Sequence, residues 1–81
     1  MKLKHNIAVS QSGFIFNPAT GDSFSVNEIA IRILEMLRNQ QTPASILATL
    51  AEEYEADRET LERDLNDFLL HLQQLGLLEN E

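Results

Sequence analysis

Apolar and polar residues alternate in three short segments before residue 27. They cover residues 5–9, 14–16 and 23–26. Alternation with a period of two is typical of β-strands that bury one face. Residues 10–13 and 17–22 separate them and contain the Gly, Pro, Asn and Asp residues that favour turns. The pattern therefore predicts three short strands that fold into a small, twisted antiparallel sheet.

From residue 27 onward, apolar residues recur at helical spacing in three segments, each preceded by a residue that favours helix N-caps. Asn27 precedes the first segment, Thr42 the second and Asp57 the third. The side-chain oxygens of these residue types accept hydrogen bonds from first-turn N–H groups. Pro43 suits the first position of a helix, where no backbone donor is needed. We therefore predict three helices.

The ends of two helices are also indicated. The first should end near Arg38, with Asn39 in the left-handed conformation, and the third should continue to Leu75 and stop at Gly76. We expect the two leucines that follow this glycine to fold back onto the core.

Three strands followed by three helices predict an α+β fold of the winged helix-turn-helix type. With 81 residues, the chain has the size of one small domain spanning positions 1–81. After the third predicted strand, residues 23–26, no further strand is predicted to pair with it. Its backbone donors and acceptors should form an open sheet edge that an extended peptide can join.

Three phenylalanines lie on the predicted strands. Phe14 and Phe16 are two positions apart and share one face, which we predict to be the core face. The alternative is that they stack nucleic-acid bases. Phe24 is expected to be half buried and to line the open edge in part.

The third helix has one apolar face and one polar face. Stepping 100° per residue places Leu70 on the polar side, near Arg63. The predicted core face consists of Leu61, Leu65, Phe68, Leu69 and Leu72.

Charge and composition disfavour several classes of function. The net charge is −7, from thirteen acidic and six basic residues, which opposes binding to nucleic-acid phosphates. The chain has no cysteine, and His5 and His71 are far apart, so we predict no metal site, no cofactor and no catalytic site. No segment approaches the apolar length of a membrane span. We expect a cytoplasmic protein that is not an enzyme.

The ordered succession of these elements resembles the PqqD-like family, also called RiPP recognition elements. The resemblance covers nearly the whole chain. It rests on residues 13–28, Ala30, Ile33, Leu34, residues 46–54, residues 57–61, Asp64, Phe68, Leu69, Leu72 and residues 76–77.

This resemblance implies that the leader segment of a ribosomally made precursor peptide adds as a strand beside the third strand, against the third helix. The backbone of Ser23, Phe24, Ser25 and Val26 would pair with the leader. The side chains expected to choose among leaders are those of Arg63, Asn66, Asp67, Leu70 and His71.

In such a groove, acidic side chains would favour a leader with basic residues, and Leu70 would bind an apolar anchor. The resemblance also implies a modifying enzyme in trans, with a radical S-adenosylmethionine enzyme as one candidate. Two alternatives stay open from the residues alone. One is a winged-helix regulator that binds DNA or a protein, and the other is a module that forms a homodimer through the open edge or Leu70.

Overall fold

The computed structural model describes residues 2–79, which form five strands and three helices. The strands are β1 (Lys2–Leu3), β2 (Ala8–Ser10), β3 (Phe14–Asn17), β4 (Asp22–Ser25) and β5 (Leu78–Glu79). The helices are α1 (Glu28–Arg38), α2 (Pro43–Glu53) and α3 (Arg58–Gln74).

The predicted three-stranded antiparallel sheet is present, with strand order β2-β3-β4. Ile15 of β3 pairs with Val9 of β2 on one side and Phe24 of β4 on the other. The first predicted strand corresponds to β2, which is shorter than predicted because it begins at Ala8 rather than His5. The N–H of Ile7 donates to the carbonyl of Lys4 at 3.2 Å, and this turn replaces the predicted start of the strand.

A second sheet joins the two ends of the described chain and was not predicted. β1 pairs with β5, placing Leu3 opposite Leu78. The N–H of Lys4 donates to the carbonyl of Leu77 at 3.0 Å, and the Leu77 side chain is fully buried. The expected return of the chain onto the core after α3 is thus confirmed.

Two of the three predicted N-caps form their side-chain hydrogen bonds. Asn27 Oδ1 accepts from the N–H of Ala30 at 2.9 Å, and Thr42 Oγ1 accepts from the N–H of Ser45 at 3.1 Å. Asp57 is at the N-cap of α3, but its side chain makes no hydrogen bond to the described first turn. α3 therefore begins where predicted without the expected capping bond.

α1 ends at Arg38 as predicted, but the left-handed residue after it and the end of α3 each differ from prediction by one position. Asn39 has φ −82°, so it is not left-handed, and Gln40 takes that conformation with φ 62°. α3 ends at Gln74 rather than Leu75. Gly76, with φ 74°, closes the helix end, as the predicted stop requires.

The core lies between the helices and the inner face of the sheet. Its sixteen residues are Leu3, Ile7, Ile15, Ile31, Ile33, Leu34, Met36, Leu37, Ile46, Leu47, Leu50, Leu61, Leu65, Leu69, Leu72 and Leu77. Across the helices, the Arg32 guanidinium on α1 donates to both oxygens of Glu53 on α2, at 3.0 and 2.8 Å. These bonds raise the pKa of Arg32 and lower that of Glu53.

The prediction that Phe14 and Phe16 face the core is wrong. They are 50% and 44% exposed, whereas Ile15 is 1% exposed. The inner face of β3 consists of Ile15 and Asn17, and Asn17 Oδ1 accepts from the N–H of Ala19 at 3.1 Å within the turn. Because alternate residues point to opposite faces, this arrangement directs both phenylalanines outward.

Candidate functional site

A groove of about 770 Å³ lies between β4 and α3. Ile29 and Ala30 in the first turn of α1 also line it. β4 is an edge strand, since β3 is its one partner among the described strands. The groove thus runs along an unpaired strand, with a helix as its opposite wall.

Hydrogen-bond alternation decides which backbone groups face this groove. The N–H of Val26 donates to the carbonyl of Gly13 at 2.8 Å. The backbone N–H and C=O groups of Val26 therefore point toward the β3 side of the sheet and away from the open edge. In an antiparallel ladder, hydrogen-bonded and non-hydrogen-bonded pairs alternate. Phe24, two positions away, is therefore bonded to Ile15 of β3. Ser23 and Ser25 direct their N–H and C=O groups to the open edge.

Gly13 is required for this register. It has φ 103°, and a Cβ at this position would lie 3.0 Å from the carbonyl oxygen of Val26. A side chain here would be strained and would press on the first residue after β4.

The floor of the groove is apolar. It includes the buried side chains of Leu65 and Leu72, and above them the half-buried side chains of Phe24, Phe68 and Leu75. These half-buried residues pack on the core with part of their surface open. An extended peptide can bury its own apolar side chains against them.

The charged and titratable residues that line the groove all lie on α3. They are Asp64, Asp67 and His71, and all three are exposed. No lysine or arginine of the described chain belongs to the lining. The helix wall is therefore acidic, which favours a peptide with basic side chains.

Six of the nine sequence-predicted residues line the groove: Ser23, Phe24, Ser25, Val26, Asp67 and His71. Arg63 and Asn66 instead border a shallow depression farther around α3, which Asp67 also touches. Leu70 is 54% exposed and lies outside the groove lining. The roles of these nine residues in choosing a peptide stay predictions.

The groove residues that were not predicted as site residues include Asp64 and Phe68 of α3, and Leu75 directly after the helix. With His71 they form a stripe at i, i+4, i+7 and i+11, the spacing of one helix face. That spacing could have identified them. Phe68 was assigned to the core face, and it lies at the boundary between core and groove.

Residues 2–79 contain no group of three or more His, Asp or Glu side chains placed to hold a metal ion. None of the helices described is long and apolar enough to cross a membrane.

Comparison with known proteins identifies a family and two similar structures. Residues 13–78 match the family model described as Coenzyme PQQ synthesis protein D (PqqD). The chain matches no curated protein at a significant level.

One similar structure is TbiB1 in complex with the TbiA(beta) leader peptide, with 31% sequence identity and a TM-score of 0.89. The alignment covers 100% of this chain and 98% of that one. A second is lasso peptide synthetase B1 complexed with the leader peptide, with 26% identity and a TM-score of 0.84. It covers 98% of this chain and 96% of that one.

Proposed function

The chain belongs to the PqqD family, and we propose that it is a non-catalytic adaptor that binds the leader of a ribosomally synthesised precursor peptide. The adaptor presents this precursor to a modifying enzyme. The observation that supports the proposal most strongly is the unpaired strand β4 beside the apolar groove. Two similar chains bind leader peptides, and one of them is 31% identical over the full length.

The leader adds to β4 as a fourth strand of the sheet. Ser23 and Ser25 offer the free N–H and C=O groups, so these two residues form the backbone hydrogen bonds with the leader. Backbone pairing of this kind gives affinity that depends little on leader sequence. Phe24 and Val26 contribute side chains, since Val26 N–H is already bonded to Gly13.

The side chains of the groove determine which leader peptides bind. Alternate leader residues point inward and pack against Phe24, Phe68 and Leu75. Asp64 and Asp67 favour a leader with a basic residue near α3. Both aspartates are exposed, so we expect this contribution to be modest and sensitive to salt.

Binding to DNA is disfavoured by the surface of α3, the helix that a winged helix-turn-helix would insert into the major groove. This helix exposes Glu62, Asp64 and Asp67. Its Arg63 Nε lies 3.8 Å from Asp64 Oδ1, which reduces the positive charge offered to a phosphate. With a net charge of −7, the chain would repel the duplex.

A proton–nitrogen NMR titration tests the proposal. The labelled chain is titrated with the TbiA(beta) leader peptide and with leaders of precursor peptides encoded beside this chain. We expect saturable shifts at Ser23 to Ser25 and along Asp64 to Leu75, and none with scrambled peptides. A folded chain whose signals no leader moves would overturn the proposal. Light scattering on the free chain separately tests the homodimer alternative.

A further inference from the structure

The side of the sheet that faces away from the helices carries six exposed side chains and no charge. We call it the outer face. It consists of Ala8, Ser10, Phe14, Phe16, Ser23 and Ser25. The strand register places them in two rows across the sheet, with a phenylalanine at the centre of each row.

Both phenylalanines protrude because their neighbours are small. Phe16 lies between Ala8 and Ser23 across the strands, and Phe14 has a serine on either side. Their 44% and 50% exposure is unusual for aromatic rings, and the rest of the surface holds an excess of acidic residues. Uncharged surface with aromatic residues at its centre is typical of protein interfaces.

A leader bound at β4 leaves these rings exposed. The leader lies beyond β4, so its backbone is separated from that of β3 by roughly 10 Å, two strand spacings. Its outward side chains meet Ser23 and Ser25 first. The leader therefore extends the outer face by one strand and does not cover Phe14 or Phe16.

The outer face is too small to hold two copies of the chain together. Its two half-exposed phenylalanines and four small exposed residues together offer on the order of 350 Å² of accessible surface. A stable interface buries about 800 Å² per partner. A contact of this size contributes only when its partner is already held nearby.

We infer that the outer face, centred on Phe14 and Phe16, is a docking surface for the modifying enzyme, which contacts it through an apolar patch of its own. The inference rests on the proposed function. A precursor held in the groove by its leader and in the enzyme by its remaining segment brings the two proteins together at high effective concentration. The small apolar contact then orients the adaptor. The outward side chains of the leader lie next to this face only when the leader is bound to the adaptor.

The test uses a variant with Phe14→Ser and Phe16→Ser together, because serine is already the neighbouring residue type on this face. Gln73→Ser is the control, since Gln73 is exposed on a different surface and lies outside the groove lining. Two quantities are measured for each variant: leader affinity by fluorescence anisotropy, and the rate at which the enzyme encoded beside this chain modifies its precursor at limiting adaptor. Circular dichroism checks that each variant is folded.

We expect the double variant to bind leader within about twofold of the wild-type affinity while the modification rate falls at least about fivefold. Gln73→Ser should change neither. Because the contact is apolar, the loss should persist at high salt.

An unchanged modification rate would overturn the inference. So would a parallel loss of leader affinity, which would assign the face to the leader, or a wild-type dimer that the double variant abolishes. A wild-type chain that binds no leader would instead contradict the proposed function, and the inference would fall with it. If the double variant unfolds, Phe14→Thr and Phe16→Thr are tested singly, because threonine retains strand propensity. Leader affinity and modification rate are then measured for each single variant.

Discussion

The backbone N–H of Val26 donates to the carbonyl of Gly13 across 2.8 Å, and this one bond determines which amides of β4 are free. Counting back by alternation, Phe24 is bonded to β3, whereas Ser23 and Ser25 are open to a partner strand. Substitutions at adjacent residues should therefore separate stability from peptide binding.

Ser25→Pro removes an N–H that faces the open edge and leaves the ladder with β3 intact. Proline is tolerated at such edge positions. We expect leader affinity to fall about tenfold, because a hydrogen bond is lost and the ring hinders the added strand. Ser25→Ala, which keeps the amide, is the control and should stay within about twofold. Isothermal titration calorimetry measures both, and equal affinities would argue against strand addition at β4.

Phe24→Pro should act on folding instead. It removes a donor to β3 and should lower the free energy of unfolding by about 3 kcal/mol, as measured by urea denaturation. A Phe24→Pro protein as stable as the wild type would contradict the assigned hydrogen-bond alternation.

Helix caps provide a second contrast. Asn27→Ala removes the side-chain bond to Ala30 and should cost about 1 kcal/mol of stability. Asp57→Ala removes a residue at the same helix position that makes no such bond, so we expect a cost below about 0.5 kcal/mol. Thermal unfolding of both variants measures the difference. Equal costs would show that Asp57 caps α3 in solution.

Phe68 and Leu72 are neighbours on α3 with different burial. Phe68→Ala should weaken leader binding about tenfold, because a half-buried ring of the groove floor is lost. Leu72→Ala should lower the free energy of unfolding by about 2–5 kcal/mol, because Leu72 is only 1% exposed. Gln73→Ala, at an exposed position outside the groove lining, is the control for both measurements and should alter neither. An equal effect of Gln73→Ala on binding would extend the site beyond the groove.

The acidic wall should be visible in the salt dependence of binding. Asp64→Asn and Asp67→Asn together should weaken binding of a leader that carries Lys or Arg by about threefold at low salt and less at high salt. Glu59→Gln and Glu62→Gln together remove the same two charges from α3 outside the groove lining and are the matched control. If this control pair has the same effect, net charge rather than the groove explains it.

The Arg32–Glu53 pair should make stability depend on pH. The hydrogen bonds from Arg32 hold the pKa of Glu53 below its ordinary value of 4.5. A lowered carboxyl pKa adds stability above the unfolded-state value, and that stability is lost as pH falls through the folded-state value. Glu53→Gln should therefore be less stable than wild type at neutral pH, with the difference shrinking under acid. Denaturation at several pH values checks this, with Glu52→Gln as the control.

Local rules explain which parts of the fold could be predicted. N-cap residues, the proline at the start of α2 and the glycine after α3 act within one helical turn. The sequence therefore located the starts of all three helices, and the ends of α1 and α3, to within a residue. Gly13 likewise located the hairpin of β2 and β3, and the turn after Asn17 located that of β3 and β4. The open edge followed from the order of the elements, because no strand was predicted after β4; β5, which does follow it, pairs with β1.

Two features depended on contacts between distant residues. β1 and β5 are two residues long, and their pairing joins Leu3 to Leu78, so neither segment has a local signal. The groove wall was only partly identified because Phe68 fits the apolar stripe of α3, and its exposure depends on where β4 lies beside the helix.

The sequence by itself determined the order of the main elements, the starts of the helices and the sign of the charge, because these depend on residue types and near neighbours. The tertiary structure decided which face of β3 is buried. Phe14, Ile15 and Phe16 are all apolar, so alternation alone fits either orientation. The inward Asn17, bonded within its turn, and the pairing of Ile15 with Phe24 fix the strand so that the phenylalanines point outward.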